Sequence, residues 1–262
     1  MVICPKSPWK EILMAKKQRA DQLLTGAGLA ESREKAKRQI MAGKVHYIEN
    51  GQKIPVAKPG QQFPPETEFV VPEENQYVSR GAYKILTAIE EFSINFEGKT
   101  ALDAGASTGG FTDCMLQHGA VRVYAADVGY GQLHEKLRQD SRVINLERTN
   151  IRHATAELIP EQIDVIVADV SFISLIKILP ACMQFLKPGG ELVVLIKPQF
   201  ELGPGQTDKG VVRDEGLRQQ AVQLVTNFCS EELTLTIKGI VPSKILGPKG
   251  NQEYMAYMQA PV

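Results

Sequence analysis

The rhythm of apolar and polar positions along this chain of 262 residues changes once, near residue 75. Up to there the apolar runs are short. In "RADQLLTGAGLA", Ala20, Leu23, Leu24 and Ala27 share one face of a short helix. "SREKAKRQIMAG" predicts a second helix, with Ser32 as N-cap and Gly43 as the stop. "KVHYIENG", "QKIPVAKPG" and "EFVVPE" read as short β pieces parted by Asn50-Gly51, Pro59-Gly60 and Pro64-Pro65. Beyond Ser79 the pattern becomes a long alternation. "SRGAYKILTAIEEF" has helical spacing. Strands are predicted at Thr100–Ala104, Arg122–Val128, Arg142–Leu146, Asp164–Asp169, Glu191–Lys197, Leu233–Val241 and Glu253–Gln259. Helical patterns fill 109–118, 131–139, 174–187 and 214–230.

Such alternation implies an α/β fold, a seven-stranded, mostly parallel sheet with helices on both faces. The last two strands have no helix between them, so the sheet should end in an antiparallel hairpin. The predicted organisation is a disordered leader over 1–13, with Met14 as another start, and a small α+β domain over 14–75. A linker at Pro72–Gln76 leads into a large domain over 76–262.

Composition narrows the setting. With 43% apolar and 23% charged residues the chain is of ordinary globular type. Its most apolar stretch, "DVIVADVSFISLIKILPACMQFL", is interrupted by Asp169, Ser171, Ser174, Lys177 and Pro180, short of the ~20 uninterrupted apolar residues of a membrane span. The N-terminus lacks the apolar core and small-residue cleavage site of a signal peptide. Cys4, Cys114, Cys182 and Cys229 are far apart, without metal-ligand or disulfide-framework spacing. A soluble, cytoplasmic protein is expected. Net charge is zero but uneven, since Lys16–Lys44 carries eight basic residues against three acidic. Such an end is either a solvated helix face or a contact for a polyanion.

In a doubly wound sheet, ligands sit beyond the carboxyl ends of the strands. That edge should carry Asp103, Asp127, Asn150, Asp169 and Lys197. "LDAGASTGGFTDC" has the form of a strand turning through a glycine loop into a helix, and Asp127 follows Gly105 by 22 residues, the spacing of an acid that binds a ribose diol. Ser107 stands where a dinucleotide loop needs its middle glycine, and Asp103 would repel a phosphate. S-adenosylmethionine (SAM) has a ribose, an ammonium and a sulfonium but no phosphate, and fits that pattern better than NAD. A tight turn in another α/β protein is the plainer alternative.

Several methyl-transfer chemistries lack their equipment. No cysteine stands at a strand end as the nucleophile of carbon methylation. The turn at Asp169-Val170-Ser171-Phe172 has no proline pair of the kind used on exocyclic amines, and no three-cysteine cluster serves radicals. Lysine and carboxylate remain: Lys197 and Asp169 at adjacent strand ends, Lys84 in the helix before the first strand, and Glu253 at the start of the last. A lysine lowered from its solution pKa of about 10.4 by neighbouring positive charge can take a proton from a weak acid such as a ribose 2′-OH. For Lys84 and Glu253, spacing alone favours ordinary surface charges.

"LDAGASTGGFTDC", "AADVGYGQL", "ERTN", "ADVSFISL", "KPQFELG" and "GPKGNQEY", in this order, closely resemble the TlyA family, bacterial 2′-O-methyltransferases of ribosomal RNA often labelled haemolysins. The resemblance spans roughly residues 14–259. It implies an N-terminal domain like that of ribosomal protein S-four, which shifts the basic segment toward RNA contact through Arg19, Arg33, Lys35, Lys37, Arg38 and Lys44, with Arg80 beyond it. It also implies an FtsJ-like, SAM-dependent Rossmann methyltransferase domain with a Lys-Asp-Lys-Glu tetrad at Lys84, Asp169, Lys197 and Glu253. The substrate it implies is cytidine in ribosomal RNA. The chain ends without the extension of dual-substrate members, so the small subunit stays an open alternative to the large one.

On this reading the methionine end of SAM lies near Asp103, Gly105, Ser107, Gly109, Gly110 and Phe111, its ribose on Asp127, and its adenine near Val128 and Asn150. Lys197 is the base, oriented by Asp169 and Lys84, with Glu253 positioning Lys84 or Lys197, and the in-line transfer needs no metal. Lys209, Arg213, Lys244 and Lys249, in "FELGPGQTDKGVVRD" and "SKILGPKGN", suit a mobile clamp on RNA phosphates or else two ordinary surface loops. A haemolysin would need a membrane-active segment, and the apolar stretches sit where core strands belong. A non-catalytic RNA-binding assembly factor is the other class considered, and an intact tetrad argues against it.

Overall fold

The computed structural model describes residues 16–71, 76–203 and 205–262. The leader, Met14, Cys4 and all but the last residue of the Pro72–Gln76 linker lie outside the described residues. Two compact units divide the chain at Glu74 and Asn75.

In the first unit, β1 (Gln18–Arg19), α1 (Ala20–Gly26), α2 (Arg33–Met41), β2 (His46–Glu49), β3 (Gln52–Pro55), β4 (Gln62–Phe63) and β5 (Phe69–Val70) follow in order. Ser32 caps α2 by accepting from the Lys35 N–H, and Gly43 at φ +68° turns the chain out of it. Asn50 and Gly51, both at positive φ, make the β2–β3 hairpin turn, and β5 pairs with β2 on the other side. Ala20, Leu24, Ala36, Ile40, Val45, Val56 and Phe63 form the core. Ala27 is not on the buried face of α1 as the spacing predicts; it is the exposed C-cap.

The second unit comprises α3 (Ala82–Phe92), β6 (Thr100–Ala104), α4 (Gly110–Gln117), β7 (Arg122–Ala126), α5 (Glu135–Arg138), β8 (Val143–Leu146), β9 (Ile163–Ala168), α6 (Leu179–Met183), β10 (Leu186–Ile196), α7 (Pro198–Glu201), α8 (Glu215–Glu231), β11 (Thr236–Pro242) and β12 (Tyr254–Gln259). The seven strands lie in the order β11-β12-β10-β9-β6-β7-β8, with β12 antiparallel to both of its neighbours, β11 and β10, and the other pairs parallel. Successive residues of the central strands feed opposite cores. Leu102, Ile166, Val194 and Ala256 face one; Ala101, Val165, Val193 and Met255 face the other.

Two predicted helices are shorter than their patterns. The 131–139 segment is helical only at α5, where the His134 side chain accepts from the Lys136 N–H and sets the start. The 174–187 segment splits into a 3-10 turn at Leu175–Lys177 and the short α6, whose first turn holds Pro180, and its end is already strand. Strand β10 begins early because a bulge after Leu186 lets that residue pair with Ile163.

Candidate active site

The strand order reverses between β6 and β9, and the glycine loop leaves β6 at that point. Gly105 has φ +93°, and a Cβ there would lie 2.6 Å from the Asp169 carbonyl oxygen, so the two strand ends can meet only with glycine in this position. Ser107, itself at φ +49°, donates its N–H to Asp127 Oδ2 at 2.8 Å. Asp127 Oδ1 accepts the Gly129 N–H at 2.7 Å. The acid is thus oriented by the loop it follows. Asp103 points into the sheet face covered by α4 and is fully buried; Oδ2 accepts from Thr112 Oγ1 at 2.6 Å, while Oδ1 is buried with no partner. Burial pushes its carboxyl up to about 7, the Thr112 hydrogen bond opposing and the nearby Asp169 charge adding.

The lysines and carboxylates form two pairs. Lys84 Nζ donates to Glu253 Oε2 at 2.7 Å, a contact across 169 residues of chain, with Glu253 wholly buried. The Lys197 ammonium stands 2.6 Å from Asp169 Oδ1 but off the angles of a hydrogen bond, and it donates to Ser171 Oγ at 2.9 Å. Strand direction explains why the two pairs share one edge. Because β12 runs antiparallel to β10 with Ile196 opposite Tyr254, the residue after one strand and the residue before the other, Lys197 and Glu253, come to the same edge. Gln199 Nε2 also reaches Glu253 Oε1 at 3.4 Å, and a side chain at Gly247 would collide with that carboxylate.

Three clefts converge here. One of about 210 Å³ is lined by Asp103, Gly105, Gly110, Phe111, Asp169 and Lys197. A second of about 470 Å³ runs past Asp127, Val128, Asn150, Ile151, Val170 and Ile173. A third of about 370 Å³ lies between Phe172, Lys197, Phe200, Lys249, Asn251 and Glu253.

A family model for FtsJ-like methyltransferases matches residues 77–260. The 16S/23S rRNA (cytidine-2′-O)-methyltransferase TlyA of Mycobacterium tuberculosis is 45% identical over 249 residues, covering 94% of this chain and 91% of its own. The chain belongs to the TlyA family of FtsJ-like methyltransferases. Hemolysin A of Brachyspira hyodysenteriae is 42% identical over 245 residues, 91% of this chain and 98% of its own. A solved structure with a haemolysin designation, from Streptococcus thermophilus, shares 42% identity with a TM-score of 0.70 over 94% of this chain and 89% of that one. Among the described residues of this TlyA-family chain, no helix is long and apolar enough to cross a membrane.

Several expected site residues of the TlyA-family chain sit differently from their prediction. Asn150 does not end a strand; it lies four residues past β8 and caps a 3-10 turn through its Oδ1, although it lines the 470 Å³ cleft. Gly109 lines none of the three clefts; at φ +92° it starts α4. Lys84 lines none either and reaches the site through Glu253. What stands beside each lysine is a carboxylate, not the neighbouring positive charge expected to ready a base.

The basic residues are also more constrained than their count implies. Arg19 makes two hydrogen bonds to the buried carboxylate of Asp21, and Arg33 stands 3.6 Å from it. Lys35 and Lys37 pair with Glu31 and Glu34 along α2, while Arg38, Lys44 and Arg80 are exposed. The two loops expected as a mobile clamp are tied together. Asn251 accepts from the Val212 N–H and donates to the carbonyls of Gly210 and Pro248, and Lys249 Nζ donates to the Lys209 carbonyl. Arg213 pairs with Asp208, and Lys244 with Glu90 on α3. Charge spacing identifies basic residues but not the acids that engage them. Sequence reasoning passed over Ser171, Phe172, Gln199, Phe200 and Asn251, although all five lie within stretches that carried the family resemblance.

Proposed function

We propose that this chain transfers the methyl group of SAM to the ribose 2′-OH of a cytidine in ribosomal RNA, in the large subunit, with the small subunit an open second substrate. The observation that carries the reading is the Lys197–Asp169 pair at the meeting of the three clefts, backed by Lys84–Glu253. In this reading the 210 Å³ cleft takes the methionine end, with the unpartnered Asp103 Oδ1 receiving its ammonium, and the 470 Å³ cleft takes the adenosine, with the Asp127 carboxylate toward the ribose. SAM would supply a methyl group on a sulfonium, whose sulfur keeps the electron pair of the broken S–C bond and becomes a neutral thioether. Lys197 accepts the 2′-OH proton as the oxygen forms its bond to the methyl carbon, and the Asp169 carboxylate stabilises the ammonium that results.

The 370 Å³ cleft suits the target nucleotide. Phe172, 91% exposed and held at φ +65°, meets Phe200 with ring centroids 5.2 Å apart, and such rings stack an unstacked base. Arg19, Arg33, Lys35, Lys37, Arg38, Lys44 and Arg80 serve as phosphate contacts, and Lys209, Arg213, Lys244 and Lys249 do the same beside the cleft. A cytoplasmic location follows from this substrate. The test is transfer of tritiated methyl from SAM to purified large and small ribosomal subunits, followed by mapping of the modified nucleotide. Label on a cytidine ribose supports the reading; label on a base, on protein or on neither subunit overturns it.

Asp103 makes cofactor binding depend on pH. Its folded value of about 7 lies above the ordinary 3.8, so between those values the folded chain holds a proton that the unfolded chain has lost. That contribution to stability is present at acid pH and is lost as pH rises through about 7. A cation at Oδ1 favours the ionised form, so SAM affinity should rise roughly tenfold from pH 6 to pH 8, with proton release on binding below neutrality. Titration calorimetry in buffers of different ionisation enthalpy measures both. An affinity flat across that range removes the Asp103 carboxylate from the ammonium site.

A further inference from the structure

We infer that Ser171 is a positioning residue for the base, fixing the direction in which Lys197 presents its lone pair. The inference rests on the methyl-transfer reading above and adds a member that the Lys-Asp-Lys-Glu set does not contain. A lysine amine turns freely about its Cε–Nζ bond, and a charge at close range attracts it without choosing a rotamer. Asp169 acts in that way, since its Oδ1 is 2.6 Å away but off hydrogen-bond angles. The directional bond is the one to Ser171 Oγ at 2.9 Å. With one N–H committed there, two positions on the nitrogen of the neutral amine remain, one for the second hydrogen, drawn to the Asp169 side by charge alone, and one for the lone pair. Ser171 alone among the described residues lines all three clefts, so this orientation is set where donor and acceptor meet.

The segment bearing Ser171 is itself braced. Glu201, at the end of α7, accepts the Leu175 N–H at 3.0 Å and the Ser174 hydroxyl, so the turn after β9 is tied to the helix that follows Lys197. Ser171 is exposed, so its substitution leaves the core intact.

The experiment uses the full chain, SAM and the ribosomal subunit that the wild-type protein methylates, under single-turnover and steady-state conditions. Ser171→Ala should lower kcat about 10- to 100-fold with the KM for SAM and for the subunit unchanged. Ser171→Thr, which keeps the hydroxyl, should restore most of the rate. A Ser171→Ala rate close to wild type overturns the inference, and so does an equal loss in both variants with a raised KM for SAM, which marks a structural role. Failure of the wild-type protein to methylate either subunit is a different result and defeats the functional reading instead.

Discussion

Replacing Lys197 by Ala is expected to lower single-turnover methyl transfer to the ribosomal substrate by ~10²–10⁴-fold, the usual contribution of a positioned general base. SAM binding should be nearly unchanged, because in the proposed reading the cofactor's ammonium and ribose fall to Asp103 and Asp127, not to Lys197. The fold should survive as well. The Asp169 side chain is 20% exposed, so water can solvate the carboxylate that Lys197 leaves behind. Lys197→Arg is the sharper companion. It retains the positive charge beside Asp169, but a guanidinium does not give up its proton near neutral pH. Both variants should therefore be inactive if Lys197 removes the 2′-OH proton. Activity in Lys197→Arg, with Lys197→Ala inactive, would reassign the lysine to electrostatic stabilisation alone.

The second large effect is on stability. Glu253→Ala is expected to cost about 3–5 kcal/mol, since it strands a nearly buried ammonium without its partner. The Lys84 side chain is only 11% exposed and the Glu253 side chain 0%, so water cannot replace the lost carboxylate. Replacing both members together, as Lys84→Met with Glu253→Leu, should recover most of that loss, because neither charge is then left buried. Urea denaturation of Lys84→Met, Glu253→Leu and the variant carrying both measures the coupling. A loss below about 1 kcal/mol in Glu253→Ala would mean that the pair is hydrated in solution and stabilises little. Activity should fall in the double variant even where stability returns, if the pair supports the base.

Much of the large unit was readable because its elements are selected locally. Strand β6 and the turn into α4 follow from "LDAGASTGG": an apolar run, then glycines that alone tolerate the close approach of Asp169 at Gly105. The antiparallel end of the sheet followed from two strands with no helix between them. The failures are equally specific. Residues 174–187 have helical periodicity, but Pro180 and the early start of β10 shorten the helix to five residues. Lys249 reads as a free cation in sequence, whereas in the structure its ammonium is given to the Lys209 carbonyl, 40 residues earlier in the chain. Ser171 carried no signal of its own, since one serine in "ADVSFISL" looks like any other until Lys197 is seen beside it.

The sequence by itself determined the alternation of strands and helices, the glycine turn, and the acid 22 residues beyond Gly105, because each reflects a neighbour relation within a few residues or one βα unit. It also carried the motifs that mark the family. Only the tertiary structure decided how the tetrad divides, Lys84 with Glu253 and Lys197 with Asp169. That division depends on β12 running antiparallel to β10 in one register, with Ile196 opposite Tyr254, and a one-residue slip would turn every side chain of the strand to the other face. Register is settled by packing between segments distant in sequence, which no local spacing records.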